Sequence, residues 1–256
     1  MPHNHLDIFG VTIHLYGLLT YLGIVVAYAV AINRTERFGV PFRRFLMLCA
    51  AAIAGMAVGS RVLHFITMLP VLIADFSFSK LLNLALNGGF VFYGGLFGAL
   101  FAAKIFAKRS KYDEKAIFRI VTPAIPLFHG FGRIGCLFAG CCYGKELAEP
   151  IKLFSAVHIN RIPTQAFEAV FEFIMFFAIL EIEKRRKDWN MLKFYLLSYA
   201  VFRFANEFFR GDEIRGVFLL STSQWISAAI IMYYFFKGGA IDGKAPTVRQ
   251  RGSHTD

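Results

Sequence analysis

The sequence is short of charge, short of cysteine and short of anything repetitive. Only 18% of its 256 residues are Asp, Glu, Lys or Arg, against 57% hydrophobic residues and a mean hydropathy of +0.53. That excludes an ordinary soluble domain and leaves a polytopic helical membrane protein. Four cysteines, Cys49, Cys136, Cys141 and Cys142, are too few for a disulfide scaffold. No Lys or Arg occurs in the first ten residues, so the first apolar run reads as a retained span rather than a cleaved signal. Internal repeats and low-complexity tracts are absent. The net charge of +11 does not call for nucleic acid, because basic residues in a membrane protein gather in cytoplasmic loops.

What is present is apolar, with 30 phenylalanines. Seven runs approach the about 20 residues that a bilayer core requires. They cover 11–32, 45–66, 89–107, 118–141, 163–182, 190–209 and 218–236. The expected fold is therefore all-α, a seven-helix membrane domain over residues 1–237. Segment 67–88 holds Pro70 and is too interrupted to span, so it is expected to lie in the interface as an amphipathic arm. Residues 143–162 form a small extracytoplasmic loop, and 238–256 a disordered cytoplasmic tail.

Lysine and arginine bias gives the orientation. Arg34, Arg37, Arg43 and Arg44 fall in one loop, Lys108, Arg109, Lys111 and Lys115 in the next, and Lys184, Arg185, Arg186 and Lys187 in a third. These loops are cytoplasmic, which puts the N-terminus outside and the C-terminus inside. Tyr16, Arg61, Tyr93, Arg133, Gln165 with Glu168, and the row Tyr199, Arg203, Glu207, Arg210 then share the outer half of the membrane.

The stretch His129–Lys145, HGFGRIGCLFAGCCYGK, stands out. An arginine at bilayer depth costs a few kcal/mol or more and marks a functional site by default. Tyr199, Arg203, Glu207 and Arg210, spaced 4, 4 and 3, fall within about 80° of one another on a helix. Arg133, Arg203, Arg210 and Arg61 against Glu207, Glu168 and Glu172 suggest a positive surplus that an anionic ligand would neutralise. Guanidinium suits phosphate because it is always charged and presents forked donors. A lipid-facing cavity so lined points to a phospholipid headgroup; a structural ion-pair network is the bland alternative. Gly94-Gly95 reads as a close approach of a helix or a lipid, and Pro163-Thr164-Gln165 as a helix start. For Cys136, Cys141 and Cys142, packing or a disulfide, a functional thiol, and a metal site all stand open. Their spacing fits no standard zinc pattern, so no metal or other cofactor is expected.

GRIGCLFAGCCYG resembles the GRxGNFxNGExxG motif of the bacterial prolipoprotein diacylglyceryl transferases. HLYGLLTYLG resembles their first span, FYGGLFG their HGGLxG element, RIPTQAFEA their RHPxQLYEA, and YAVFRFANEFFR their YxxxRxxxExxR run. The elements occur in the family's order and cover most of residues 11–215. The resemblance implies a seven-helix enzyme of the bacterial inner membrane with an extracytoplasmic active site. Its substrates would be phosphatidylglycerol and the signal peptides of preprolipoproteins. It would transfer diacylglyceryl to a lipobox cysteine and release glycerol phosphate.

Position by position, Arg133 matches the motif arginine that holds phosphate, and Arg203 the arginine that stabilises the leaving group. Tyr16, Gly144, Tyr199 and Glu207 match other motif positions. Tyr93 stands where the family has histidine, Cys136 where it has asparagine and Cys141 where it has glutamate. Candidate catalytic residues are thus Arg133, Arg203, Glu207, Tyr93 and Cys141. Candidates for holding substrate are Tyr16, Arg61, Cys136, Gly144, Gln165, Tyr199 and Arg210. The phosphate-binding half is kept and the acid–base half is altered. Two other readings share the cavity: a paralogue serving a different acceptor, and a phospholipid-binding protein without turnover.

Overall fold

The computed structural model describes residues 5–8, 11–87, 91–154, 157–211, 216–217 and 220–236. The expected tail 238–256 lies outside them. A hairpin of β1 (His5–Ile8) and β2 (Val11–His14) leads into α1 (Leu15–Thr35), and a 3₁₀ turn at Glu36–Phe38 leads into α2 (Phe42–Ala74). Then follow α3 (Phe78–Asn87), α4 (Phe92–Arg109), α5 (Glu114–Val121) and α6 (Ala124–Ala139). A second hairpin, β3 (Glu146–Phe154) with β4 (Val157–Arg161), precedes α7 (Thr164–Arg185) and α8 (Met191–Glu207). The two-residue strands β5 (Gly216–Val217) and β6 (Leu220–Ser221) pair before α9 (Thr222–Phe236). Among the described residues, three stretches are long and apolar enough to cross a membrane: Leu15–Phe38, Phe42–Pro70 and Glu114–Ala139.

Several boundaries differ from the hydropathy reading. The fold is mostly helical rather than purely so, because segments without a helical period satisfy their backbone groups by pairing as hairpins. The first is rich in β-branched residues, VTIH in β2. Helix α2 runs through Pro70 to Ala74, well beyond 66. The apolar run 118–141 is not one helix. It breaks at Thr122-Pro123 between α5 and α6, since proline has no N–H to continue a ladder. It also stops at Ala139, where Gly140 turns left-handed with φ 66°.

The described residues of 35–118 form one compact unit, and those of 1–34 and 119–245 another. In the first, α2 and α4 meet backbone to backbone across Gly55-x₃-Gly59 and Gly94-x₃-Gly98. A side-chain carbon on Gly59 would meet the Gly94 carbonyl and stand 2.9 Å from Gly98 Cα; one on Gly98 would meet the Gly55 carbonyl. This small-residue seam is how helices associate where lipid removes the hydrophobic drive. It assigns Gly94 to helix packing.

In the second unit, α6 rests on α1 and α7. A Cβ on Gly23 would lie 2.7 Å from Phe131 Cβ, and one on Gly130 would lie 3.2 Å from the Phe173 ring. At the far end of α1 and α7 a buried ion cluster ties the elements together. Arg34 Nη2 stands 2.5 Å from Glu183 Oε2, and Arg119 Nη1 stands 3.8 Å from Glu183 Oε1. Arg34 Nε also donates to the Arg119 carbonyl at 3.0 Å.

The seam yields a paired test. Gly98→Ala, facing the Gly55 carbonyl, is expected to lower stability by about 1–3 kcal/mol. Gly17→Ala, with nothing within 4 Å of the added carbon, is expected to be neutral or to stabilise. Thermal unfolding of both variants in detergent checks the contrast.

Candidate active site

Three helices each present a row spaced four residues apart: His129 and Arg133 on α6, Glu168 and Glu172 on α7, and Tyr195, Tyr199, Arg203 and Glu207 on α8. That spacing stacks side chains on one helix face, and the three rows meet. Glu168, with no exposed surface, is the hub. Its Oε1 accepts the Tyr199 hydroxyl at 2.8 Å and lies 3.1 Å from Arg133 Nη2. Its Oε2 lies 3.8 Å from Arg203 Nη1. Arg203 turns its other arm to Glu207 Oε2 at 2.6 Å and to the Ser223 hydroxyl of α9 at 3.3 Å.

The histidine has a defined tautomer. Arg133 Nε donates to His129 Nε2 at 3.2 Å, so the ring proton sits on Nδ1 and is donated to Glu172 Oε1 at 2.7 Å. Tyr195 donates to Glu172 Oε2 at 3.1 Å and stacks on Tyr199. Arg133 is therefore aimed from two sides, by a carboxylate and by an oriented imidazole. Arg203, Glu207 and Arg210 are all buried. Around this centre Arg133, Arg203 and the buried Arg210 stand against three glutamates, Glu168, Glu172 and Glu207. With Arg61 in the other unit, the positive surplus read from the sequence becomes a formal balance among these six.

The polar start of α7 grips the motif turn. Thr164 Oγ1 donates to the Cys142 carbonyl at 3.0 Å, and Gln165 Nε2 to the Cys141 carbonyl at 2.6 Å. Gly144 then knits three segments. Its N–H donates to the Ile162 carbonyl, it bridges Arg210, and a Cβ there would meet Ile162 O at 2.5 Å and Phe209 O at 2.7 Å. Tyr16, in the first turn of α1, packs its ring 3.1 Å from where a Cβ on Gly135 would stand.

The cysteines depart from expectation. Because α6 ends at Ala139, Cys141 does not lie on the helix of Arg133; its amide instead donates to the Cys136 carbonyl at 3.2 Å. Cys142 sits left-handed at φ 61°. All four cysteines are free, and the sulfurs of Cys136, Cys141 and Cys142 lie within 4.8 Å of one another. Burial pushes the Cys141 thiol up. A hydrogen bond with Cys136, with Arg133 and Arg210 nearby, holds Cys142 well below the usual thiol range. The thiol held low is Cys142, one residue beyond the expected Cys141.

Arg61 and Tyr93 belong to the other unit. Arg61 lines a cavity of about 380 Å³ with Val62, His64, Phe65, Ile66 and Leu84. Tyr93 is buried and stacks on Phe97 one turn on. The second unit thus gathers Arg133, Arg203, Glu207 and Tyr199 on Glu168, with Cys136, Gln165, Gly144 and Arg210 around the adjoining turn. Sequence reasoning missed the roles of His129, Tyr195 and Ser223. The four-residue spacing of His129 to Arg133 and of Tyr195 to Tyr199 was the available signal.

The fold and site define a mostly helical, membrane-embedded protein with a buried arginine–carboxylate centre beside a glycine-rich turn. The profile of the prolipoprotein diacylglyceryl transferase family matches residues 4–236, and the chain belongs to that family. The phosphatidylglycerol–prolipoprotein diacylglyceryl transferase of Clostridium tetani is 32% identical over 237 residues, covering 90% of this chain and 94% of that protein. The second such transferase of Clostridium perfringens is 30% identical, covering 88% and 90%. That of Chlorobaculum tepidum is 28% identical, covering 80% and 76%.

Glu168→Gln removes the anion between Arg133 and Arg203 while keeping its shape. Breaking a buried ion pair in this way is expected to cost about 3–5 kcal/mol. Tyr199→Phe, which removes one hydrogen bond to the same oxygen, is expected to cost about 1–3 kcal/mol. Thermal unfolding of the two variants reads the difference; equal losses would deny Glu168 its central place.

Proposed function

We propose that this enzyme transfers the diacylglyceryl group of phosphatidylglycerol to the lipobox cysteine thiol of a preprolipoprotein and releases glycerol phosphate. The observation that carries the reading is the convergence of Arg133 and Arg203 on one buried carboxylate. The substrate sulfur attacks the diacylglyceryl carbon that bears the phosphate ester. The carbon–oxygen bond breaks, a thioether forms, and the phosphate leaves with an added negative charge. The thiol proton passes to a base. Two guanidiniums fixed by Glu168, His129 and Glu207 stabilise that developing charge without having to reorganise, the arrangement that gives electrostatic catalysis its size.

In this reading Arg133 binds the headgroup phosphate and Arg203 the departing oxygen, with Glu207 holding Arg203. Tyr16, Gln165, Tyr199, Arg210, Cys136 and Gly144 shape the lipid site, and Cys141 occupies an altered acid–base position. The chain crosses the bacterial inner membrane seven times, with the N-terminus and the site outside and the C-terminus in the cytoplasm. Support for this topology comes from the arginine and lysine bias of alternate loops. Preprolipoprotein signal peptides enter from the bilayer.

Arg133→Ala and Arg203→Ala are each expected to abolish glycerol phosphate release from labelled phosphatidylglycerol. Lysine at either position should restore little, because a point charge lacks the fork. Turnover at the native rate in both alanine variants would remove the phosphate clamp.

A further inference from the structure

Among the described residues outside the arginine centre, Cys136, Cys141 and Cys142 form a tight group of reactive side chains. Residues 136 and 141–142 come from different elements, the last turn of α6 and the segment after it. Three features of the chain bring them together. Gly140 reverses the backbone at φ 66°, the Cys141 amide folds back onto the Cys136 carbonyl, and Cys142 adopts the left-handed region at φ 61°. A non-glycine residue in that region is strained and persists only where its surroundings over-determine it. Here the surroundings are Thr164 and Gln165, which hold the carbonyls of Cys142 and Cys141. The result is three free thiols whose sulfurs lie within 4.8 Å of one another.

We infer that this turn is a binding site for one thiophilic d¹⁰ cation, of the Zn²⁺, Cd²⁺ or Cu⁺ class, held by the Cys136, Cys141 and Cys142 sulfurs. A tetrahedral ion with zinc–sulfur bonds of about 2.3 Å draws its ligands to about 3.8 Å from each other. The trio is within roughly 1 Å of that spacing before any ion is present. Soft thiolates select d¹⁰ ions over Mg²⁺ or Ca²⁺. Cys141 is exposed, which gives the ion an entry path and leaves a fourth position for water.

A divalent ion held by three thiolates leaves a site of net charge −1. Arg133 and Arg210, both within electrostatic reach of Cys142, lie beside that charge. Linear spacing matched no zinc pattern because adjacent cysteines rarely serve one ion; the left-handed turn is what aims them at a common point.

The test is cadmium titration of the full chain in detergent, reduced with a phosphine and kept anaerobic. The expected result is one equivalent of cadmium bound with a sulfur-to-cadmium charge-transfer band. Maleimide followed by peptide mass spectrometry should then find Cys136, Cys141 and Cys142 protected and Cys49 modified. Serine at any of the three should weaken binding more than about a hundredfold, since even outer-shell changes cost about 10- to 100-fold. Cys49→Ser should bind as the native chain does. Cys136, Cys141 and Cys142 all reacting with maleimide in the presence of cadmium, along with Cys49, would overturn the inference. So would a disulfide within the trio that resists the phosphine. Protection is read on the native chain, so the result stands even if a serine variant fails to fold, and it does not depend on transferase activity.

Discussion

One carboxylate governs this molecule. Glu168 is fully buried and faces Arg133, Arg203 and the Tyr199 hydroxyl at once. A guanidinium away from water is tolerable only with a matched anion and satisfied donors. The proposed phosphate clamp, however, needs its arginines partly uncommitted. Sharing one carboxylate between two arginines reconciles these demands. Each guanidinium is neutralised enough to stay buried, and Arg133, held at Nε and Nη2, leaves donor capacity toward a ligand. His129 and Glu172 extend the same device outward, fixing a tautomer so that Arg133 has one orientation.

The surroundings serve that centre. Glycines admit close neighbours where bulk would push the rows apart: Gly130 against Phe173, Gly135 against Tyr16, and Gly144 against Ile162 and Phe209. The polar start of α7 serves two ends, since Glu168 and Glu172 reach the arginine centre while Thr164 and Gln165 hold the cysteine turn. The Arg34–Glu183–Arg119 cluster anchors the opposite end of that helix. Helix α7 is thus pinned near both termini by charge, which keeps its carboxylates in register with α6 and α8.

Much of this was legible in the sequence, for a physical reason. Tyr199, Arg203 and Glu207 announce a polar face because a helix repeats near every fourth residue. Arg133 announces itself because burying it is costly. Glu168 was harder to rank, since a glutamate near a proline and a threonine also reads as an ordinary helix start. His129 is one imidazole in an apolar run until its partner Glu172 is brought across from another helix. The turn after α6 was illegible in hydropathy, because Gly140 and Cys142 continue the apolar run while their backbones leave the helix. The same applies at Thr122-Pro123, where an unbroken apolar stretch hides two helices.

In the proposed reading these arginines perform lipid transfer to protein beside the Cys136, Cys141 and Cys142 turn. That reading is tested most directly by expressing the chain in a bacterium depleted of its own diacylglyceryl transferase and measuring intact lipoproteins by mass spectrometry. A diacylglyceryl group in thioether linkage on the lipobox cysteine is the result predicted. Lipoproteins that keep an unmodified lipobox cysteine, with the protein folded and present in the membrane, would contradict it.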